Sequence, residues 1–420
     1  MYSLIGELYP ICRSITGDGT RQTLALLGQE IPLQVFEIPS GTQVLDWTVP
    51  KEWNIRDAYI KDLSGARIVD FQKCNLHVLN YSTPVNAVMP LADLEQHLYT
   101  LPDHPAWIPY RTSYYSEKWG FCLSEEQRQS LQDERYEVCI DSTLADGSLT
   151  YAECFLPGSI EDEVLISCHI CHPSLCNDNL SGIAVATFLA KHLATLNRRY
   201  SYRFLFVPGT IGAITWLARN KEHAPKVKHG LVLTTIGDCS GFTYKRSRQG
   251  NADIDRVVEY LLRERSEAHS IEDFTPYGYD ERQYCSPGFN LPVGVLTRSF
   301  YGRVPEYHTS ADNLDFVKPQ QLGASLDLCR QITSTIEHNR TYTNQSPYGE
   351  PQLGKRGLYR STGGRDPELE NIARLWVLNF SDGRYSLLDI AERSHLPFTL
   401  ICDAAEALLG AGLLRESNCH

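Results

Sequence analysis

The sequence predicts an α/β fold: a mostly parallel sheet with helices on both faces, an inserted mostly-β domain and a small C-terminal winged-helix domain. Three observations predict it. Strand-like apolar runs alternate with amphipathic helical stretches from Leu149 to about His338. That order implies a largely parallel sheet covered on both faces. A block from 46 to 149 breaks the pattern with dense proline, tryptophan and tyrosine. A tail from 350 to 420 reads helix, turn, short helix, turn, helix, which fits a winged-helix or helix-turn-helix module.

The elements follow in chain order. Thr20 through Leu27 reads as a first helical segment with Leu24, Leu26 and Leu27 apolar, and Leu33 to Ile38 as a strand. Ala66 to Phe71 and Leu76 to Tyr81 look like short strands between turns in the inserted block. Strands are expected at Val164–Cys168, Tyr202–Val207, Leu231–Ile236 and Val293–Leu296. Helices are expected at Leu180–Leu196, Ala213–Asn220, Ile254–His269 and Gln320–His338. The first of these places Ile183, Ala186, Leu189, Leu193 and Leu196 on one side at three- and four-residue spacing. Asn344 to Arg365, rich in Gly, Pro and Ser, reads as a linker. In the tail, helices are expected at Leu369–Asn379, Ser386–Arg393 and Phe398–Leu409. The division is therefore 1–45 with 150–345 for the α/β domain, 46–149 for the insert and 350–420 for the tail.

Length and composition narrow the classes of function. A chain of 420 residues has room for two or three domains. A net charge of −12 gives no basic field for a nucleic-acid backbone or an anionic membrane. No run approaches the roughly 18 apolar residues of a membrane span, and no secretory signal is visible at the N-terminus. Thirteen scattered cysteines fit a reducing cytoplasm better than a disulfide framework. The tail carries five basic residues against nine acidic ones from Ser361 to His420. Its expected recognition helix has Asp403 and Glu406 and no Lys or Arg. Reading bases with that face is implausible, so a protein partner or a homo-oligomer contact through this domain is expected, with no nucleic acid and no membrane.

The densest chemistry lies where a strand gives way to a helix. The loop holds His169, Cys171, His172, Cys176 and Asp178, followed by Asn179-Leu180-Ser181-Gly182. Asp238 follows an apolar strand, and His308 lies in Glu306-Tyr307-His308-Thr309. Histidine and carboxylate side chains from several strand ends suit a hydrolytic Zn²⁺ site with about three protein ligands and one open position. Either His169 or His172 reaches such an ion. Asp178 alone reads as a helix cap, and Asp238 alone as a turn residue. Cys168, Cys171 and Cys176 have the spacing of a structural zinc site, but strand alternation sends Cys168 and His169 to opposite faces.

These motifs resemble the zinc aminopeptidase superfamily, the bacterial leucyl-aminopeptidase type. His169-Ile170-Cys171 matches its His-x-Asp element with Cys for Asp, and Asp178-Asn179-Leu180-Ser181-Gly182 matches Asp-Asn-x-Ser-Gly in full. Asp238 matches the strand-end Asp, and Tyr307-His308-Thr309 the closing His-Thr. Tyr279-Asp280-Glu281, ahead of Pro287-Gly288 and Leu291-Pro292, resembles Ser-Asp-His with Glu for His. The whole chain is similar to a bacterial aminopeptidase-like group with an inserted β domain and a C-terminal winged helix, associated with polysaccharide biosynthesis. The resemblance implies a zinc exopeptidase-like fold and zinc held by His169, Asp178 and Asp238, or by Asp178 and His308. It also implies a hydrolase acting on a small peptide or amide. One departure stands out. Gly209-Thr210-Ile211-Gly212 replaces Glu-Glu-x-Gly, which removes the family's general base and a second-metal ligand. Glu306, Glu281 and Asp280 are the nearby carboxylates, with Glu306 preferred as the catalytic substitute and Glu281 next. The alternatives are a partner-binding protein that has lost catalysis and an enzyme modifying an amide or amino sugar.

Overall fold

The computed structural model describes residues 1–358 and 367–417. They form two compact units, Met1–Cys329 and Arg330–His420. The first is built on an eight-stranded sheet. Its strands in chain order are β1 (Gln34–Pro39), β2 (Ser148–Leu156), β3 (Glu163–His169), β4 (Ser201–Val207), β5 (Val227–Leu233), β6 (Phe242–Lys245), β7 (His269–Glu272) and β8 (Val293–Thr297). Across the sheet the order is β1-β2-β4-β3-β5-β8-β6-β7. The four central strands, β4, β3, β5 and β8, run parallel. β2 and β6 join this core antiparallel. All seven residues of β3 are buried, as expected for a strand covered on both sides.

The alternation along β3 decides what lies on each face. Leu165 joins a core with Ile211, Trp216 and Tyr284, and the Ser167 hydroxyl meets the Tyr284 hydroxyl at 2.9 Å. His169 continues this face. On the other face the Cys168 thiol donates to the Gly182 carbonyl at 3.3 Å. That carbonyl opens the helix Gly182–Ala194, whose Ile183, Ala186, Leu189 and Leu193 are buried. Glycine is required at 182, because a Cβ there would stand 2.4 Å from the Leu233 carbonyl at the end of β5. The helix start is thus pressed against the carboxyl end of the sheet, where ligands bind in such folds.

The inserted segment carries its own antiparallel sheet, in the order Arg67–Asp70, Glu52–Lys61, Arg135–Ala145, Val85–Pro90. Its buried face is continuous with the central core: Trp53, Ala58, Ile60, Val138 and Ile140 share one cluster with Leu165, Leu205 and Val207. Leu76–Tyr81, expected as a strand, is instead a short 3-10 turn over Asn75–His77 followed by single bridges from Val78 and Asn80. Val78 and Tyr81 are buried in the central core cluster and Leu76 in a smaller one with Tyr110 and Leu175, so the apolar side chains are hidden without a ladder.

Two further differences concern the expected helices. Ile254–His269 ends at Glu264 in the structure, and His269–Glu272 becomes the edge strand β7. A short, half-exposed edge strand needs no apolar alternation. In the second unit, Thr341–Asn344 pairs with both Asp382–Ser386 and Leu414–Glu416 in a three-stranded antiparallel sheet. This unit therefore starts ahead of 350, and the turn expected between the first two tail helices gives way to the strand Asp382–Ser386. Part of the linker expected at 344–365 lies outside the described residues. Helices span Pro367–Phe380, Leu387–Ser394 and Phe398–Gly410. Ser386 and Asp389 form a capping box at the start of the second. No helix among the described residues is long and apolar enough to cross a membrane, and no disulfide joins the described cysteines.

Candidate metal centre

Asp178 is the centre of the site and is fully buried. Its Oδ1 lies 2.8 Å from His169 Nε2, and its Oδ2 lies 2.9 Å from His308 Nε2. His172 Nε2 stands 3.7 Å from Oδ2. Three imidazoles, from the end of β3, from the loop after it and from a distant loop, therefore converge on one carboxylate. Burial works against ionisation of Asp178, but the imidazoles outweigh it and hold the carboxyl well below its usual range. Burial pushes His172 well below the usual imidazole range, against the pull of Asp178. It is therefore neutral, with a lone pair to offer.

The turn that presents Asp178 is held by other carboxylates. Asp312 accepts from the backbone N–H groups of Asn177 and Asp178 at 2.6 and 2.9 Å. Burial raises its own carboxyl to about 8. Asp238, expected as a ligand, is used differently. Its Oδ2 accepts from Asn177 Nδ2 at 2.7 Å and from the Ser299 hydroxyl at 2.5 Å, and its Oδ1 from the Ser240 N–H at 2.7 Å. It buttresses Asn177 beside Asp178. Among the described residues, the group with ligand atoms mutually within reach of one ion is His169, His172 and Asp178. His308 adds its contact at Asp178 Oδ2, the oxygen that His172 also approaches, and Asp238 is not in the group. The cysteines are not in it either: the Cys171 thiol sits 3.3 Å from His172 Nδ1.

Aromatic rings wall the centre. Tyr279 stacks on His169 at 5.0 Å between centroids, and Tyr307 on His308 at 3.9 Å. Their hydroxyls meet at 3.2 Å. Tyr110, from the inserted segment, packs against His172 at 5.0 Å and edge-on to His308 at 5.1 Å. The insert is stitched to the His308 loop by backbone: Tyr110 N–H donates to the His308 carbonyl at 2.8 Å, and Ser310 N–H to the Ile108 carbonyl at 2.8 Å. Arg13, fully buried, donates from Nε to the His172 carbonyl at 2.8 Å. Residues from across the chain thus fix the histidines. Nothing in local spacing marks Arg13, Tyr110 or Asp312 for that work.

The two carboxylates expected to replace the missing glutamates lie in different settings. Glu281 is fully buried. Its Oε1 is paired with Lys245 Nζ at 2.8 Å, and its Oε2 accepts from the Tyr279 N–H at 2.9 Å. Both oxygens are occupied, so it is a structural ion pair and not a free base. Glu306 is half-buried, two residues before His308. Its carbonyl accepts from Thr309 N–H and hydroxyl, and its carboxylate has no ion pair among the described residues. Asp280 is buried with neither oxygen hydrogen-bonded, and burial raises its carboxyl to about 7 against the opposing charge of His169.

The donors fit zinc chemically. Imidazole nitrogens and a carboxylate are its usual ligands. Two ligands of a tetrahedral ion stand about 3.3 Å apart, close to the 2.8–3.7 Å found between Asp178 and the three histidines.

Comparison with known proteins agrees with this architecture. Residues 2–339 match the model of a domain of unknown function, DUF4910. Residues 340–416 match a winged helix-turn-helix family. A Clostridium acetobutylicum protein, provisionally named a polysaccharide biosynthesis protein with an aminopeptidase-like domain, is 51% identical over 99% of this chain and 96% of its own length. A crystal structure from the same organism, provisionally described as a peptidase, is 50% identical and superposes with a TM-score of 0.94 over 99% of this chain and 96% of that one. The zinc aminopeptidase BSAP of Bacillus subtilis shares the fold at 12% identity and a TM-score of 0.58, covering 80% of this chain and 93% of its own. A peptidase M28 precursor from Shewanella amazonensis does so at 13% and 0.56, covering 80% and 92%. The chain belongs to the DUF4910 family, on an aminopeptidase-like α/β fold followed by a winged helix-turn-helix domain.

Proposed function

We propose that this protein is a zinc-dependent, aminopeptidase-like hydrolase of a small peptide or amide, with catalytic machinery partly degenerate. The observation that carries the reading is the single buried carboxylate of Asp178 facing imidazoles on both oxygens. Asp178, His169 and His172, whose ligand atoms lie within reach of one another, would hold the ion, and His308 would join them at Asp178 Oδ2. Zn²⁺, when bound, supplies Lewis acidity toward an amide carbonyl.

The chain's own residues do the rest. Tyr110, Tyr279 and Tyr307 wall the histidines and fix their ring planes. Glu306, beside His308 and without an ionic partner among the described residues, would take a proton from the water that attacks the carbonyl and pass it to the amine nitrogen as the C–N bond breaks. The inserted segment, tied to the His308 loop, limits the bulk of the acyl and amine groups that enter. The name of the 51% identical relative directs attention to amides on amino sugars alongside peptides. We place the activity in the cytoplasm. The α/β domain (1–45 with 150–345) would carry the chemistry, the insert (46–149) the wall, and the C-terminal domain a protein or homo-oligomer contact.

The test is turnover by zinc-loaded protein on aminoacyl anilides, dipeptides and amide-bearing sugars, against His308→Ala. No cleavage above that control on any of them sinks the reading. Gly209-Thr210 in place of paired glutamates, together with the occupied Glu281, favours a second reading. In it the protein binds a metal and a partner without turnover, and a turnover number in the ordinary enzyme range would eliminate it.

A further inference from the structure

Asp280 is 1% exposed, and neither of its carboxylate oxygens has a hydrogen-bond partner among the described residues. A buried carboxylate without partners is costly and calls for an explanation. The ordinary one fails. Asp280 precedes the one-turn helix Glu281–Tyr284, yet its side chain does not cap it; only its backbone carbonyl is engaged, by Gln283 and Tyr284 N–H. Lys245 is committed to its neighbour Glu281. Arg282 makes no hydrogen bond to it.

His169 presents the complementary need. Its Nε2 faces Asp178, while its Nδ1 is buried with no partner among the described residues. The space at Gly209 links the two groups. A Cβ at 209 would stand 3.1 Å from His169 Cβ, 3.7 Å from His169 Cγ and 3.5 Å from Asp280 Oδ1, with no other residue closer. Glycine there leaves the way between imidazole and carboxylate open. A histidine ligand nearly always donates its second ring N–H to a carboxylate, a carbonyl or water, which sets its tautomer and aim. A buried water needs two to four polar partners, and Asp280 with Nδ1 supplies them.

We propose that Asp280 is the positioning carboxylate of His169, engaging Nδ1 directly or through one shared water, so that Nε2 is turned toward Asp178 and an ion held there. Gly209 is the residue that permits it. In this account the loss of a side chain at 209 is part of the site's construction. The inference rests on the proposed metal centre only for its affinity measurement.

The experiment uses the full chain and two readouts. Competition titration with Zn²⁺ is expected to show 10–100-fold weaker binding for Asp280→Asn, with an undiminished melting temperature and partial recovery in Asp280→Glu. Gly209→Ala, which wedges a methyl group between the two side chains, is expected to weaken binding as well. A crystal structure of the wild-type chain is expected to show His169 Nδ1 joined to Asp280 by a hydrogen bond or one water, with or without zinc. Asp280→Asn binding zinc within twofold of wild type, or Asp280 paired with another group in the crystal, overturns the proposal. Wild-type protein that takes up no zinc removes the metal reading instead, and the crystal contact alone then decides the role of Asp280.

Discussion

His308 Nε2 lies 2.9 Å from Asp178 Oδ2, although 130 residues separate the two in the chain. The opposite oxygen of the same carboxylate faces His169. A carboxylate shared in this way is the weakest point of the site for substitution. Asp178→Asn and His308→Ala are each expected to lower Zn²⁺ affinity by on the order of 100-fold or more, beyond the 10–100-fold typical of residues that only support a ligand. Competition titration with a chelating dye measures it. Apparent affinity is expected to fall as the pH is lowered, since protons compete for the imidazoles.

Glu281→Gln tests the reassignment of that residue. It leaves Lys245 buried without its counter-charge, and breaking such a pair costs about 3–5 kcal/mol. Replacing both partners together, Glu281→Leu with Lys245→Met, is expected to recover most of that loss. Urea unfolding measures both. A Glu281→Gln protein of normal stability that has lost turnover would instead return Glu281 to the catalytic machinery.

Glu52 gives a pH signature. Its carboxylate bonds Arg21 at 2.7 Å and accepts from the Ser148 N–H at 2.8 Å, tying the inserted sheet to the start of β2. Hydrogen bonding to Arg21 is the main cause that depresses it from 4.5 to about 2. A depressed carboxyl stabilises the fold above its unfolded value. That contribution is lost as the pH falls from about 4.5 through about 2. Glu52→Gln is expected to cost about 1.5–3 kcal/mol at neutral pH and to flatten the stability curve over that acid interval, read by thermal melts.

Gly182→Ala should show how tightly the helix start is seated. The added methyl meets the Leu233 carbonyl and Asn179 Oδ1, each at 2.4 Å. Backbone cannot yield as a side chain can, so a destabilisation of about 1–3 kcal/mol or more is expected. The displaced turn should also weaken zinc binding through Asp178. Denaturant titration and metal titration, run in parallel, check the two effects.

The C-terminal unit has the helix order of a DNA-binding module, but its helix Phe398–Gly410 carries no Lys or Arg. We expect no duplex binding with a steep dependence on salt. A gel shift that weakens strongly between low and physiological salt would reverse this view and make the domain a nucleic-acid reader.

The fold was legible because burial on both faces imposes continuous apolar strands, and amphipathic helices reveal themselves by period. Val164–Cys168 and Tyr202–Val207 were marked by composition, and Gly182–Ala194 by its three- and four-residue spacing. The edge strand His269–Glu272 was not, since half-exposed edge residues carry no such pattern. The strand Thr341–Asn344 falls in the unassigned residues between the expected helix ending at His338 and the expected linker beginning at Asn344, and its partners lie about 40 and about 70 residues away.

At the site, the residue types were legible and their assignments were not. His169 and Asp178 could be named because they lie where a recognisable strand gives way to a recognisable helix, and His308 because of its motif Tyr307-His308-Thr309. Asp238, Glu281 and Asp280 stand in equally suggestive positions, yet one buttresses Asn177, one pairs with Lys245 and one lies buried beside His169. Sequence alone determined the α/β architecture and a pool of ionisable side chains above the carboxyl end of the sheet, because periodicity and chemistry are local properties. Only the tertiary structure decided which of them meet. A carboxylate's role depends on the donors that reach its oxygens, and those donors come from segments as much as 130 residues away.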